Sequence, residues 1–158
     1  MRAFVMAGIV LMLVAGTKVA ISSTVRGIRN NNPGNIRDTK GDTWEGQAGT
    51  DGAFAIFSAP EFGLRALAKL LNNYERLHGI NTVKGIISRY APSNENNTAA
   101  YIASVSAALG IDPETTFSIE ARLPELMQAI IKHENGQQPY SGELIATGIK
   151  MAEGFAYV

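Results

Sequence analysis

Among its 158 residues the chain has no cysteine, which excludes disulfide frameworks, cysteine nucleophiles and thiolate metal sites together. Its two histidines, His78 and His133, lie far apart and match no metal-ligand spacing, so neither a metal nor another cofactor is expected. Charge of one sign is also missing: Lys plus Arg and Asp plus Glu both number 14, a formal net charge of zero. A nucleic-acid partner requires a basic face that neutralises phosphates, and is therefore not expected. A polysaccharide needs hydrogen bonds and aromatic faces instead, and remains open. With no cysteine, no histidine pair and no recognisable Ser-His-Asp arrangement, peptidase and amidase chemistry is disfavoured. The length suits one domain, expected to act as a monomer.

Long hydrophobic runs are absent except at the start. Residues 3–17 read AFVMAGIVLMLVAGT without a charge, shorter than the roughly 20 residues of a firm transmembrane helix. Val19 to Ile21 extend the run, with Lys18 able to snorkel. Arg2 supplies the charged start of an export signal, but neither the KVA nor the AIS that follows is a clean cleavage site. A buried core helix is countered by the terminal position and the lack of amphipathic pattern. A secretory signal, a stable anchor and a weak anchor remain. The segment resembles the signal-anchor-release segment of phage endolysins. That resemblance implies export, tethering to the host inner membrane, and later release into the periplasm. Without cysteine a thiol switch is excluded, so control would be topological. Residues 1–24 are taken as this segment and residues 25–158 as a catalytic domain.

Val25 to Gly52 is dense in Gly, Asn, Asp and Thr and reads as loops with a short hairpin. Residues 53–57, AFAIF, form the one strand-like run. Five helices follow. Ser58 to Glu61 reads as a capping box opening a helix with Phe62, Leu67, Leu70, Leu71 and Tyr74 inward. Asn81 or Thr82 opens a second, stopped before Pro92. Asn97 or Thr98 opens a third, with Tyr101, Ile102, Val105 and Leu109 on one face and Gly110 at its end. Pro124 stands near the start of a fourth ending at Gly136, and Ser141 begins the last. The fold class is α+β, mostly α, with a small β region.

The fourth helix carries the chemistry. Leu123, Leu126, Met127, Ile130, Ile131 and Glu134 share one face at helical spacing, while Glu125, Gln128 and Lys132 take the other. A carboxylate on an apolar face loses hydration, and the last turn of a helix disfavours negative charge. Both effects favour its protonated form. Such a group suits a general acid that protonates a leaving glycosidic oxygen. The competing reading is an inward Glu satisfied by an internal partner. A second carboxylate, if one is used, is assigned to Asp51, with Asp38, Asp42 and Glu45 as rivals. Asp beside Gly is also ordinary turn chemistry. Tyr101, Trp44, Phe54 and Tyr140 are candidate sugar platforms, although aromatics at helical spacing are commonly core. Asn32 and Asn35, in the run from Asn30 to Asn35, offer amides for hydroxyl and N-acetyl groups. His133 is read as an outward helix-terminus residue.

The stretch from Arg26 to Ile36 (RGIRNNNPGNI), Trp44 with Gly46, Gly52 to Phe57, Tyr90 to Tyr101 and the HENG run from His133 to Gly136 are similar to a family of phage and prophage proteins. Its members are variously labelled lytic enzymes or virion structural proteins. The similarity covers nearly everything after Thr24. Leu126 to Gly136 also resembles the helix that carries the general acid in lytic transglycosylases of the lysozyme superfamily. Asn97 to Val105 resembles the helix whose Tyr lies beside that acid. The β region precedes the acid helix here, so the resemblance implies a circularly permuted lysozyme-like domain. Asn135 stands where the family has Ser, and Asn97 where it has Glu.

Two routes fit Glu134. In hydrolysis by an N-acetylmuramidase, a second carboxylate helps water attack. In lytic transglycosylation one carboxyl acts as acid and then as base on the sugar's own 6-hydroxyl. The expected function is an endolysin cutting β-1,4 bonds of peptidoglycan for host lysis. The alternative is a virion structural protein with a non-catalytic lysozyme-like domain.

Overall fold

Caps written into the sequence start most of the helices. The computed structural model describes residues 24–41, 43–94 and 96–153. Its elements run α1 (Arg26–Arg29), β1 (Gln47–Thr50), β2 (Ala55–Phe57), α2 (Pro60–His78), α3 (Val83–Tyr90), α4 (Thr98–Leu109), α5 (Ile119–Asn135) and α6 (Gly142–Glu153). Thr82 accepts from the Gly85 N–H, Asn97 from Ala100 and Ser118 from Ala121, each occupying an orphan donor of a first turn. Gly79, Gly110 and Gly136 close α2, α4 and α5 in the left-handed conformation. The architecture is mostly helical with one two-stranded antiparallel sheet, as the α+β reading expects.

α2 is the central helix. Leu64, Leu67 and Leu71 are fully buried along it, and it packs against α5 and α6. On α5 the buried face is Ile119, Leu123, Leu126, Met127, Ile130 and Ile131, the stripe the periodicity specifies, while Glu125, Gln128 and Lys132 are exposed. α4 lies across α5 and beside α3, burying Tyr101, Val105 and Leu109. In the sheet, Gln47 pairs with Phe57, Gly49 with Ile56 and Thr50 with Ala55, and an irregularity falls between Gln47 and Gly49.

Four local expectations change. The capping box at Ser58 does not form: the N-cap of α2 is Ala59, with no side-chain cap, and Pro60 opens the helix. The Ser58 N–H is instead given to the Gly46 carbonyl. α5 begins five residues before Pro124, because Ser118 caps it and Glu75 Oε2 accepts the Ile119 N–H at 2.9 Å. Pro124 therefore sits inside the helix, where it lacks the N–H that the Glu120 carbonyl would otherwise accept. Residues 26–29 form a helical turn rather than loop. The strand-like run shortens to three residues, with Phe54 instead bridging Arg37. The N-terminal segment lies outside the described residues. Among the described residues no helix is long and apolar enough to cross a membrane.

Candidate active site

Glu134 lies in the last turn of α5, half-buried, and each of its carboxylate oxygens receives one hydrogen bond. The Tyr101 hydroxyl, carried by α4, donates to Oε1 at 2.8 Å. The Asn35 side-chain amide donates to Oε2 at 2.9 Å. A carboxylate oxygen accepts more than one bond, so each keeps capacity for a group entering the cleft. Tyr101 is 2% exposed. Burial first, then Tyr90 and Glu134 nearby, hold its hydroxyl far above the ordinary phenol range. Tyr101 thus keeps its proton and donates it to the Glu134 carboxyl. His133 lies flat on the Tyr101 ring, centroids 3.7 Å apart and planes at 12°. It is exposed, as expected of an outward residue, but it also covers the ring that positions the acid. Tyr90 meets Tyr101 edge-on at 6.5 Å.

The segment delivering Asn35 is held residue by residue. Asn135 donates its side-chain amide to the Pro33 carbonyl at 2.8 Å and to Ile131 at 2.9 Å. The Tyr90 hydroxyl donates to the Gly34 carbonyl. A Cβ at Gly34 would stand 2.5 Å from that hydroxyl and 3.0 Å from Leu67, so the approach requires glycine. Asn35 itself adopts φ 47°, a left-handed conformation that Asn tolerates better than most residues.

Glu134 and Asn35 open into a cleft of about 460 Å³, whose wall includes Trp44, Phe54, Tyr74, Arg37 and Arg89. The neighbouring Arg89 acts against burial on the Tyr74 hydroxyl, which burial still raises to about 12. A larger cavity, about 600 Å³, opens between α2, the start of α5 and the end of α6. Its wall mixes Lys69, Arg76, Glu75, Glu120 and Glu153, with no aromatic side chain among the described residues. Glu75 there is occupied in capping α5. The smaller cleft is the one whose chemistry suits a sugar: two half-buried aromatic rings beside a carboxyl held by two donors.

The other site residues expected from sequence divide sharply. Trp44 and Phe54 line the cleft, and Tyr101 and Asn35 grip Glu134. Asn32 does not face solvent. It is 0% exposed and its amide is spent on Ile36 O and Ala55 O at 2.9 Å each, while its oxygen accepts the Ile36 N–H at 2.9 Å. Asn32 therefore folds the loop and cannot reach a sugar. Tyr140 packs against the core outside the cleft, its hydroxyl buried, so it is no platform either. Asp51 also stands outside the cleft wall. Its Oδ1 accepts the N–H groups of Ala53 and Phe54 at 3.1 and 2.9 Å. Its Oδ2 receives Asn30 at 2.8 Å and faces Arg26 Nε at 3.4 Å. The Phe54 N–H above all, then Asn30 and Ala53, hold its carboxyl down to about 2. This is a turn-capping carboxylate, not a second acid of the cleft. Of the rivals, Asp38 binds Gln47 at 2.9 Å and Glu45 pairs with the buried Arg65 at 2.7 Å. Asp42 lies outside the described residues. Glu134 is the single acidic residue of the described cleft wall.

Tyr90, Asn135, Arg37 and Arg89 are site residues that the sequence reading missed. Tyr90 and Asn135 carry a signal in retrospect, as polar groups on apolar helix faces. Arg37 and Arg89 carry none, since arginine in a loop or a last turn is ordinary.

No family model matches the chain. A protein of Pseudoalteromonas phage PM2, named Protein P5, is 37% identical over 141 residues, which span 87% of this chain and 88% of that protein.

Proposed function

Starting from the chain's membership of the Protein P5 family of phage proteins, we propose that it is an endolysin that cuts the β-1,4 bonds of peptidoglycan with Glu134 as general acid. One observation carries the reading: Glu134 is gripped by Tyr101 and Asn35 at the edge of a cleft lined by Trp44 and Phe54. A sugar stacked on the Trp44 ring brings a glycosidic oxygen towards the free side of the carboxyl. Tyr101 and Asn35 fix its rotamer without competing for that side. The helix order supports a lysozyme-like domain in permuted connection, with the β region ahead of the acid-bearing helix.

The described cleft wall offers no second carboxylate, which favours lytic transglycosylation over hydrolysis. Glu134 protonates the leaving oxygen as the C1–O bond breaks. The resulting carboxylate then takes the proton of the sugar's 6-hydroxyl while that oxygen bonds to C1. The 1,6-anhydro product is lighter by one water than a hydrolysis product, and Glu134 ends protonated as it began. The N-terminal segment, in this reading, exports the enzyme and tethers it to the inner membrane until release to the periplasm.

The test is digestion of purified murein by the wild type and by Glu134→Gln. The wild type is expected to release anhydro-muropeptides on mass spectrometry. The variant should lose at least about 100-fold, within the range that general acid catalysis contributes. Water-added products would overturn the transglycosylase route alone. Unchanged activity in Glu134→Gln would remove the mechanism, and an inactive wild type would leave the virion structural reading.

A further inference from the structure

A general acid passes through two forms, and the contacts of Glu134 suit only one of them. Tyr101 donates to Oε1 at 2.8 Å, and Asn35 Nδ2 donates to Oε2 at 2.9 Å. Two donors match a carboxylate. In the protonated form Oε1 still receives the Tyr101 hydroxyl, so the proton belongs on Oε2. A protonated carboxyl is itself a donor, and there it faces the N–H groups of Asn35.

The far end of the same amide has the opposite fault. Asn35 Oδ1 is buried and accepts from no described residue, and the same holds for Asn135 Oδ1. Both oxygens lie against one spot: a Cβ on Gly27 would stand 2.3 Å from Asn135 Oδ1 and 3.0 Å from Asn35 Oδ1. A buried acceptor left without a donor is costly. Asn135 is not free to turn, because its nitrogen is held by the Pro33 carbonyl at 2.8 Å and the Ile131 carbonyl at 2.9 Å. The Asn35 nitrogen donates, among the described residues, to Glu134 alone. The last torsion of an asparagine is broad and nearly two-fold, and the two ends of its amide are alike in shape. A half-turn brings the N–H groups of Asn35 to the side of Asn135 Oδ1 and its own oxygen to Glu134. One motion removes both faults.

We propose that Asn35 is a positioning residue that turns with the proton on Glu134, its nitrogen gripping the carboxylate and its oxygen holding the acid, with Asn135 Oδ1 receiving the turned amide. The catalytic meaning rests on the muralytic reading and deepens it. A lone carboxyl that serves first as acid and then as base needs both of its forms supported. The proton itself moves only between Glu134 and the sugar oxygens; the amide exchanges hydrogen bonds and nothing else. Gly27 leaves the space beside the two oxygens open.

The experiment is nuclear magnetic resonance on the full-length protein, following the Overhauser contact between the Asn35 side-chain amide protons and the Gly27 α-protons as pH is varied. Tyr101, Tyr90, His133, Arg37 and Arg89 all stand near the acid. The contact is therefore referred to the carboxyl carbon of Glu134, observed in the same samples. It is expected to be absent from the carboxylate form and to appear with the same midpoint as that carbon. Glu134→Gln holds the shape of the protonated acid at every pH, with its oxygen to Tyr101 and its N–H groups to Asn35, so the contact should be present throughout. A contact that ignores the titration, or that is missing in Glu134→Gln, overturns the proposal. On murein, Asn35→Gly, which the φ of 47° tolerates, should lower kcat at least about 10-fold with KM near wild type. An unchanged kcat would deny Asn35 its part in the reaction. Loss of the Overhauser switch in protein that cuts murein removes the turning amide and leaves the muralytic reading. A switch that works in protein unable to cut murein supports the turn and removes that reading.

Discussion

Replacing Asn32 with alanine removes three buried hydrogen bonds at once: two donated by its amide to Ile36 O and Ala55 O, and one accepted from the Ile36 N–H. All three partners are main-chain groups, and Asn32 is 0% exposed, so water does not replace what is lost. At about 1 kcal/mol net for each bond, and more where a buried group stays unsatisfied, the loss is about 3 kcal/mol or greater. For a domain of this size about 1 kcal/mol moves the melting temperature by about 4 °C, so Asn32→Ala should melt about 12 °C lower. Thermal unfolding followed by circular dichroism measures it directly. A melting temperature within about 3 °C of wild type, with a weakened affinity for murein fragments, would refute the reasoning and return Asn32 to the role of a sugar ligand.

Tyr101→Phe keeps the buried ring and its contact with His133 but deletes the donor to Glu134. Loss of one hydrogen bond to a carboxylate predicts about a 10-fold fall in kcat/KM on murein, read by turbidity clearing. A lower melting temperature with kcat/KM intact would make Tyr101 merely core. Asp51 gives a pH signature. Its folded pKa, about 2, lies below the ordinary aspartate value of 3.8, so its stabilisation is complete above pH 4 and fades as pH falls through 2. Asp51→Asn should therefore flatten the acid dependence of the melting temperature between about pH 4 and 2, while murein cleavage near neutral pH survives. A variant that folds but does not cut would restore Asp51 as the second acid.

Much of the helical frame is legible from sequence because caps and apolar stripes are local signals. Thr82, Asn97 and Ser141 each mark a start, since their side chains accept N–H groups three residues on. Glu134 is legible for the same reason: a carboxylate falling on the stripe of Met127 and Ile130 is conspicuous. The front of the chain is different. α1 is too short for periodicity, and its place depends on distant partners. Within the asparagine run, Asn32 and Asn35 look alike on paper. Only the folded loop decides that one serves the main chain and the other the acid, by way of a contact 99 residues away. Asp51 misleads because a turn carboxylate satisfied by its own backbone has the same sequence signature as a free one. Pro124 misleads because the first turn of a helix is its usual station, and tertiary burial of Ile119 carries α5 further back.

Trp44 is the one tryptophan of the chain, and it stands in the cleft wall. Light emitted by this protein under selective excitation of indole therefore comes from a single place, beside the proposed acid. A sugar laid on that ring changes its solvent contact, and the emission spectrum reports the change without a label. The molecule carries its own optical gauge of cleft occupancy, one that works equally in variants that no longer cut.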